Sequence, residues 1–211
     1  MTSPPPPGRT ELPLTPVEAP ERLRADAARN RARLLEAAAR LAAEHGAANL
    51  TMEAVACAAQ VGKGTVFRRF GDRSGLLLAL LDREEERFQA AFMTGPAPLG
   101  PGAPAAERLH AFGPAVLRHE DDHRDLYLAA AQPDPVRRHT VPARRVRLAH
   151  LAALLREAGT DADPELAAQT LLGYLDPGLV RYLLSGRGMP LSRVEAGWHD
   201  LVARMLPAEA R

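Results

Sequence analysis

The sequence predicts an all-α fold in two parts, an amino-terminal helix-turn-helix and a larger helical body. Apolar residues make up 46% of the 211 residues and aromatic residues only 4%, so any core must be mostly alanine, leucine and valine. Alanine and leucine lose little side-chain entropy in a helix. Apolar side chains also recur at three- and four-residue steps between Gly, Pro and N-cap residues, which is the pattern of amphipathic helices.

The first 20 residues form a proline-rich segment without periodic apolar positions, and they predict an extended or disordered tail. A helix is expected from Arg22 to His45, followed by Gly46 as a left-handed C-cap. Its apolar stripe consists of Leu34, Leu35, Ala38, Leu41 and Ala42.

Three further helices follow closely. Thr51 is an N-cap for a second helix that ends near Gln60. A third helix is expected over residues 63–69, and Asp72 caps a fourth that runs to about Met93. A helix, tight turn and helix with one more helix on each side is the layout of a helix-turn-helix, whose second helix lies in the major groove.

Charge is unevenly spread along the chain. Residues 21–75 contain ten Lys or Arg against six Asp or Glu, a net +4, whereas residues 76–211 contain sixteen against eighteen, a net −2. Lys63 is the only lysine in the chain. A basic head on a mildly acidic body indicates a polyanionic partner for the head alone.

Residues 22–81 resemble the DNA-binding domain of TetR-family transcriptional repressors. The resemblance rests on the apolar stripe of the first helix, on Gly46, on TMEAVA at residues 51–56 and on KGTVFRRF at residues 63–70. It implies a DNA-binding head at residues 21–75 and a helical effector-binding and dimerisation domain at residues 76–211.

The resemblance also implies roles for single residues. Lys63 begins the recognition helix, Gly64 lets the backbone approach the duplex, and Arg69 is the favoured reader of a guanine. Arg73 corresponds to a phosphate contact at the start of the next helix. The predicted DNA-binding residues are Thr51, Gly62, Lys63, Gly64, Thr65, Phe67, Arg68, Arg69 and Arg73.

Three positions depart from the family pattern. Gln60 stands where glycine is usual in the turn, which predicts local backbone strain. Gly62 replaces the usual Ser or Thr cap, and Phe67 replaces a tyrosine whose hydroxyl would bond a phosphate.

The body is predicted to be entirely helical. Residues 94–104 form a loop rich in Pro and Gly, and a helix is expected from Pro142 to about Ala158. Asp163 and Pro164 start another helix, which residues 176–178 kink or split in two. A last helix opens at Pro190.

Two functional surfaces are expected in the body, although for each the alternative is plain intrachain core. The predicted effector pocket consists of Phe88, Phe92, Phe112, Val116, Tyr127, His150 and Leu154. The predicted homodimer interface consists of Leu171, Leu175, Leu179, Tyr182, Leu183, Trp198 and Leu201.

No cofactor or metal site is predicted. His119 and His123 stand at helical i, i+4 spacing, which suits metal ligation, but the acidic run around them favours a solvated surface. Cys57, the single cysteine, is expected to be a buried core residue. The chain shows no signal peptide and no apolar run of about 20 residues, so a cytoplasmic protein without a membrane partner is expected.

The leading hypothesis is a dimeric repressor that binds a palindromic operator in double-stranded DNA and is released by an unknown small-molecule effector. One alternative is a DNA-binding protein without an effector. A filled interior of the body would favour this alternative, whereas an enclosed cavity would favour the leading hypothesis. The other is an enzyme, for which we find no nucleophile motif, phosphate loop or paired carboxylates.

Overall fold

The computed structural model describes residues 20–130 and 142–207, and within these ranges the regular structure is helical. A 3₁₀ turn spans Ala47–Asn49 and a π-helical turn spans Tyr182–Gly186. The α-helices are α1 (Pro20–His45), α2 (Met52–Ala58), α3 (Lys63–Phe70), α4 (Arg73–Thr94), α5 (Ala105–Asp122), α6 (Arg124–Ala130), α7 (Pro142–Glu157), α8 (Pro164–Tyr174), α9 (Pro177–Arg181) and α10 (Leu191–Met205).

The predicted helix boundaries are confirmed wherever a cap residue marked them. Gly46 follows α1 with a φ of 82°, and the chain splits at Asp176 into α8 and α9. The predicted tail, apart from Pro20, and the break at residues 133–135 lie outside the described residues. Four of the described helices begin with a side-chain N-cap, whose oxygen accepts hydrogen bonds from amides of the first turn. These caps are Thr51 for α2, Asp72 for α4, Asp163 for α8 and Asp176 for α9.

Two hydrophobic clusters hold the helices together. The head cluster is built on Leu34, Leu35, Val55, Val66, Leu76, Leu77 and Leu80. The body cluster is built on Phe92, Leu109, Phe112, Leu151, Leu155, Leu171 and Trp198. Helix α4 contributes to both clusters, and Leu126 of α6 joins the head cluster. The division of the chain at residues 75 and 76 stays a prediction, since the head cluster continues along α4 to Leu80.

Cys57 is exposed, so the prediction of a buried core cysteine is wrong. The buried face of α2 consists of Met52, Val55 and Ala56. Cys57 lies about 100° around the helix from Ala56 and therefore faces away from the core.

Trp198 is a core residue of its own chain, which corrects its assignment to a dimer interface. Its side chain is fully buried, and its indole Nε1 donates a hydrogen bond to the Leu109 carbonyl at 3.0 Å. Gly113 makes room for it, because a Cβ there would lie 2.2 Å from the indole ring. Leu171 and Leu175 are likewise buried within the chain.

The remaining predicted interface residues lie nearer the surface. Leu179 and Tyr182 are 40% and 55% exposed, and Leu183 and Leu201 are half-buried. Leu166 of α8, which the sequence analysis did not select, is 68% exposed.

The predicted effector residues form a packed interior. Phe92 contacts the rings of Phe88 and Phe112, each with a centroid separation of 5.4 Å, and Val116 and Leu154 are buried beside them. The buried His150 packs against Phe92 at 4.6 Å between centroids.

Two polar atoms inside this packed interior lack hydrogen-bond partners. They are Nε2 of His150 and Nε of Arg108. Burial and the charge of Arg108 lower the pKa of His150 to about 4, so its imidazole is neutral at pH 7.

Tyr127 belongs to a buried ionic cluster rather than to the aromatic interior. Its hydroxyl donates to Glu85 of α4, whose carboxylate also pairs with Arg147 of α7 at 2.9 Å. Arg147 pairs with Glu120 of α5 as well, at 3.2 Å. The cluster therefore connects α4, α5, α6 and α7.

The two carboxylates of this cluster titrate in opposite directions. Burial alone would raise the pKa of Glu85, but His119, Arg147 and Tyr127 together lower it to about 2. Burial raises the pKa of Glu120 to about 7, because Arg147 offsets only part of the desolvation cost.

Arg73 is an internal anchor of the head, and its role as a phosphate contact stays a prediction. Its Nε donates to the Leu50 carbonyl at 2.8 Å, and its Nη2 donates to the carbonyls of Ala47 and Ala48 at 2.9 and 2.7 Å. These carbonyls belong to the irregular link between α1 and α2, so the guanidinium satisfies backbone acceptors there.

The turn between α2 and α3 shows the strain that the sequence predicts. Gln60 has a φ of 55°, the one positive value of a non-glycine residue in the described ranges. The Val61 amide donates back to the Ala56 carbonyl at 3.0 Å and closes the turn, and Val61 packs against the head cluster. A side chain at Gln60 is therefore held in a conformation that favours glycine.

Replacement of Arg73 should reveal its anchoring role. We expect Arg73→Ala to lower the free energy of unfolding by about 2–4 kcal/mol, because three backbone acceptors lose a charged donor. Arg73→Lys keeps the charge but lacks the planar guanidinium that reaches several carbonyls at once, so it should lower the free energy of unfolding by a similar amount. Thermal unfolding of both variants measures this, and a lysine variant as stable as the unmodified protein would contradict the anchoring role.

Relief of the strained turn should stabilise the protein. We expect Gln60→Gly to raise the free energy of unfolding by ~1 kcal/mol, because glycine adopts a positive φ without a Cβ penalty. Gln60→Ala keeps the Cβ and serves as the matched control, with no gain expected. Urea unfolding followed by circular dichroism compares the two, and equal midpoints would count against the strain.

Candidate DNA-binding surface

The outer face of α3 is a basic, glycine-punctuated surface. Lys63, Gly64 and Arg68 are exposed, and Phe67 is 38% exposed. A Cβ built at Gly62 or at Gly64 would meet no atom within 4 Å, so the surface is open there. Val66 points the other way into the head cluster and fixes which face of α3 is presented. An open surface of this kind admits the close approach of another backbone.

Lys63 is joined to helix α2. Its ammonium forms an ion pair with Glu53, and it lies 5.5 Å from the ring centroid of Phe67. The hydrogen bond from Lys63 is the main cause of a lowered pKa of the Glu53 carboxyl. Both partners are more than half exposed, so a phosphate would compete with Glu53 for the same ammonium.

Arg69 is held against α1. The sequence predicts that it points into a DNA groove, but its Nη2 donates to the Ala27 carbonyl. Its side chain lines a cleft of about 240 Å³ between α1 and α3, together with Thr65, Arg68 and Asn30. Base reading by Arg69 stays a prediction, and it requires the bond to Ala27 to be exchanged.

Thr51 has a structural role in the described chain. Its Oγ1 accepts a hydrogen bond from the Ala54 amide at 3.1 Å and caps α2. Gly62 precedes α3 without any side-chain cap, as its missing side chain requires. Both residues are exposed.

Two residues of this surface were missed by the sequence analysis. Glu53 neutralises Lys63, and Asn30 lines the cleft with a buried Oδ1 that has no hydrogen-bond partner. Asn30 precedes Leu34 by four residues and thus continues the apolar stripe of α1, which is the signal that would have placed it against α3. No comparable signal connects Glu53 to Lys63, because they lie on different helices.

The run of histidines and carboxylates at residues 119–123 is only partly a solvated surface. His119 is buried and its ring stacks on Phe88 at 4.6 Å, whereas Asp121 and Asp122 are exposed. The Nδ1 atom of His123 lies 2.8 Å from the His119 carbonyl. Within residues 20–130 and 142–207 no group of three His, Cys, Asp or Glu forms a metal-binding set, and no helix is long and apolar enough to cross a bilayer.

The sequence matches the family model described as bacterial regulatory proteins, tetR family, over residues 34–80. This segment contains the carboxyl-terminal part of α1, all of α2 and α3, and the start of α4. Among curated proteins, the chain is 36% identical over 70 residues to the HTH-type transcriptional regulator SAB2452 of Staphylococcus aureus (strain bovine RF122 / ET3-1). The match covers 33% of this chain but only 38% of the length of that relative.

Solved structures share the fold over most of the chain. A transcriptional regulator from Saccharomonospora viridis in complex with choline has a TM-score of 0.61 at 22% identity, with 85% of this chain and 98% of that chain covered. SmeT, the repressor of the Stenotrophomonas maltophilia multidrug efflux pump SmeDEF, has a TM-score of 0.58 at 20% identity, with 86% and 92% covered. Residues 34–80 thus form a helix-turn-helix segment that matches the TetR family of bacterial regulatory proteins, and the chain shares the fold of these solved regulators.

Proposed function

We propose that this protein is a homodimeric repressor that binds a palindromic operator with α3 in the major groove. The observation that carries the proposal is the outer face of α3, where Lys63 and Arg68 flank an open glycine surface. A protein that places one such helix on each half-site needs two copies about one turn of DNA apart. SmeT, which has the same fold, is described as a repressor, and this supports the same sign of regulation here.

The dimer surface that we propose lies on α8, α9 and the turn that follows. Leu166, Leu179 and Tyr182 are large apolar or aromatic side chains that are 68%, 40% and 55% exposed in the single chain. Exposed apolar surface of this kind is typical of interfaces. Leu183 completes the surface at its half-buried edge.

The effector site that we propose is the aromatic interior around His150. The supporting observation is that His150 Nε2 and Arg108 Nε are buried without hydrogen-bond partners among apolar rings. Buried polar atoms normally have partners, and a small molecule with an acceptor would supply them. Another protein of this fold is described in complex with choline. Entry requires Phe92 and Phe112 to move apart, which would shift the helices that carry them.

A second candidate is a DNA-binding regulator that acts without an effector. The packing of Phe88, Phe92 and Phe112 favours it, because these rings fill the interior where the sequence predicts a pocket. The two candidates differ in whether a compound that binds the body also lowers operator affinity. DNA binding by α3 is common to both.

Removal of the carboxylate beside Lys63 tests the proposed DNA contact. We expect Glu53→Gln to strengthen binding to operator and random DNA alike by about twofold to fivefold. The reason is that the Lys63 ammonium then no longer has to give up its ion pair with Glu53 to contact a phosphate. The slope of log affinity against log salt should steepen by up to about one per subunit. Fluorescence anisotropy with labelled duplexes at several salt concentrations measures both effects.

Two controls accompany this measurement. Glu157→Gln removes an equal charge from the exposed surface of α7 and should leave DNA affinity nearly unchanged. In a Lys63→Ala background the gain from Glu53→Gln should shrink, as a double-mutant cycle requires for coupled groups. Equal gains in both backgrounds would remove Lys63 from the DNA contact.

Disruption of the exposed face of α8 tests the dimer. We expect Leu166→Glu to shift the protein to a monomer at micromolar concentration, because a carboxylate would be buried without a partner in the interface. Operator affinity should then fall by at least about tenfold, since the second head no longer binds at high effective concentration. Leu128 of α6 is 52% exposed, and Leu128→Glu is the matched control that should remain dimeric. Sedimentation velocity decides it, and a Leu166→Glu dimer would rule out this face.

A further inference from the structure

Two histidines that are 89 residues apart in sequence meet at the surface of the body. The Nδ1 atom of His110 on α5 lies 3.0 Å from the Nδ1 atom of His199 on α10. We propose that this pair is a binding site for a divalent transition-metal ion, held by the two Nδ1 atoms and completed by water. This site is separate from the DNA-binding surface and from the aromatic interior around His150.

The separation of the two rings suits a shared metal ion. Their centroids lie 5.2 Å apart, with an angle of 36° between the ring planes. Two imidazoles on one tetrahedral ion, with metal–nitrogen distances of about 2.0–2.1 Å, place their donor nitrogens about 3.3 Å and their centroids about 5.2 Å apart. A modest rotation of each ring therefore turns the observed contact into a chelate.

The backbone beneath the pair is fixed. The hydrogen bond from Trp198 Nε1 to the Leu109 carbonyl connects the residues immediately before His199 and His110. Trp198 also packs directly on Gly113 of α5. Ligands that are held on packed helices lose little freedom on binding, so the pair is preorganised.

The pair is accessible to solvent. It lies in an open groove of about 530 Å³, whose walls include Pro98, Leu99 and Pro114. Glu107 and Arg118 also line the groove. Within the described residues no third His, Cys, Asp or Glu joins the pair as a ligand set. The open positions of a bound ion therefore belong to water or to an exogenous ligand, as in sites that keep an open coordination position.

The histidine pair at the carboxyl end of α5, His119 and His123, does not offer such a site. His119 packs on Phe88 and lies 3.5 Å from Glu85, and His123 Nδ1 lies against the His119 carbonyl. Its nitrogens are thus engaged with other groups of the chain, whereas Nδ1 of His110 and Nδ1 of His199 share one hydrogen bond with each other, which a bound ion would replace. Imidazole nitrogen favours Zn²⁺, Cu²⁺ and Ni²⁺ over Mg²⁺ and Ca²⁺, which prefer oxygen ligands.

Calorimetric titration of the full chain, without an affinity tag, with Zn²⁺ tests the proposal. We expect one ion per chain, and we expect His110→Gln and His199→Gln each to weaken binding by at least about tenfold. His45→Gln, at an exposed histidine at the end of α1, is the matched control and should bind like the unmodified protein. Mg²⁺ should give no saturable heat.

Thermal unfolding gives a second readout, because an ion that bridges α5 and α10 stabilises the folded chain. We expect Zn²⁺ to raise the unfolding temperature of the unmodified protein and of His45→Gln, but not that of either groove variant. Absence of saturable binding up to 100 times the protein concentration would overturn the proposal. So would a loss of binding in only one of the two groove variants, or in neither.

Discussion

The burial of Arg147 between two carboxylates is the constraint on which the arrangement of the helices depends. A guanidinium in the protein interior must be paired, because an unpaired buried charge costs several kcal/mol. Glu85 and Glu120 supply that pairing from α4 and α5, and the guanidinium also lies 5.1 Å from the centroid of Phe88. Tyr127 binds the same carboxylate from α6, so one cation fixes four helices. None of these helices can shift alone without breaking a buried bond.

This cluster also connects the head to the body. Helix α4 begins at Arg73, which anchors the link between α1 and α2, and it carries Glu85 three turns later. Leu126, next to Tyr127, packs in the head cluster. A rearrangement in the body that moves Arg147 therefore acts on the head through α4 and α6 together. A ligand of the body changes DNA affinity only if it binds the two arrangements with different affinity.

The sequence predicts the helices well because their signals are local. Thr51, Asp72 and Asp163 mark helix starts by a side chain and an amide two or three residues away, and all three caps are present. The strain at Gln60 was also predictable, because it depends on the backbone φ of that one residue.

The errors concern distant contacts. The sequence alone predicts Trp198 as an interface residue. In the structure its indole donates a hydrogen bond to the carbonyl of Leu109, which is 89 residues away in the sequence. The bonds from Arg73 to the carbonyls of Ala47 and Ala48 were likewise not predictable, because these acceptors precede it by 26 and 25 residues. No periodicity in the sequence indicates that His110 and His199 lie close together.

Two basic residues of the predicted DNA-binding surface already have partners within the chain. Lys63 pairs with Glu53, and Arg69 donates to the Ala27 carbonyl. If either residue contacts DNA as proposed, that contact is an exchange of partners, and its net gain is smaller than a free cation would give. Base reading by Arg69, where it occurs, would discriminate among sequences, because only a duplex that offers Arg69 a well-placed acceptor compensates for the lost bond to α1. Phosphates are equally available on every duplex, so the proposed contact of Lys63 would add affinity without discrimination. Arg73 is held by three bonds to carbonyls of the link between α1 and α2, so its position is fixed by the fold of the head itself.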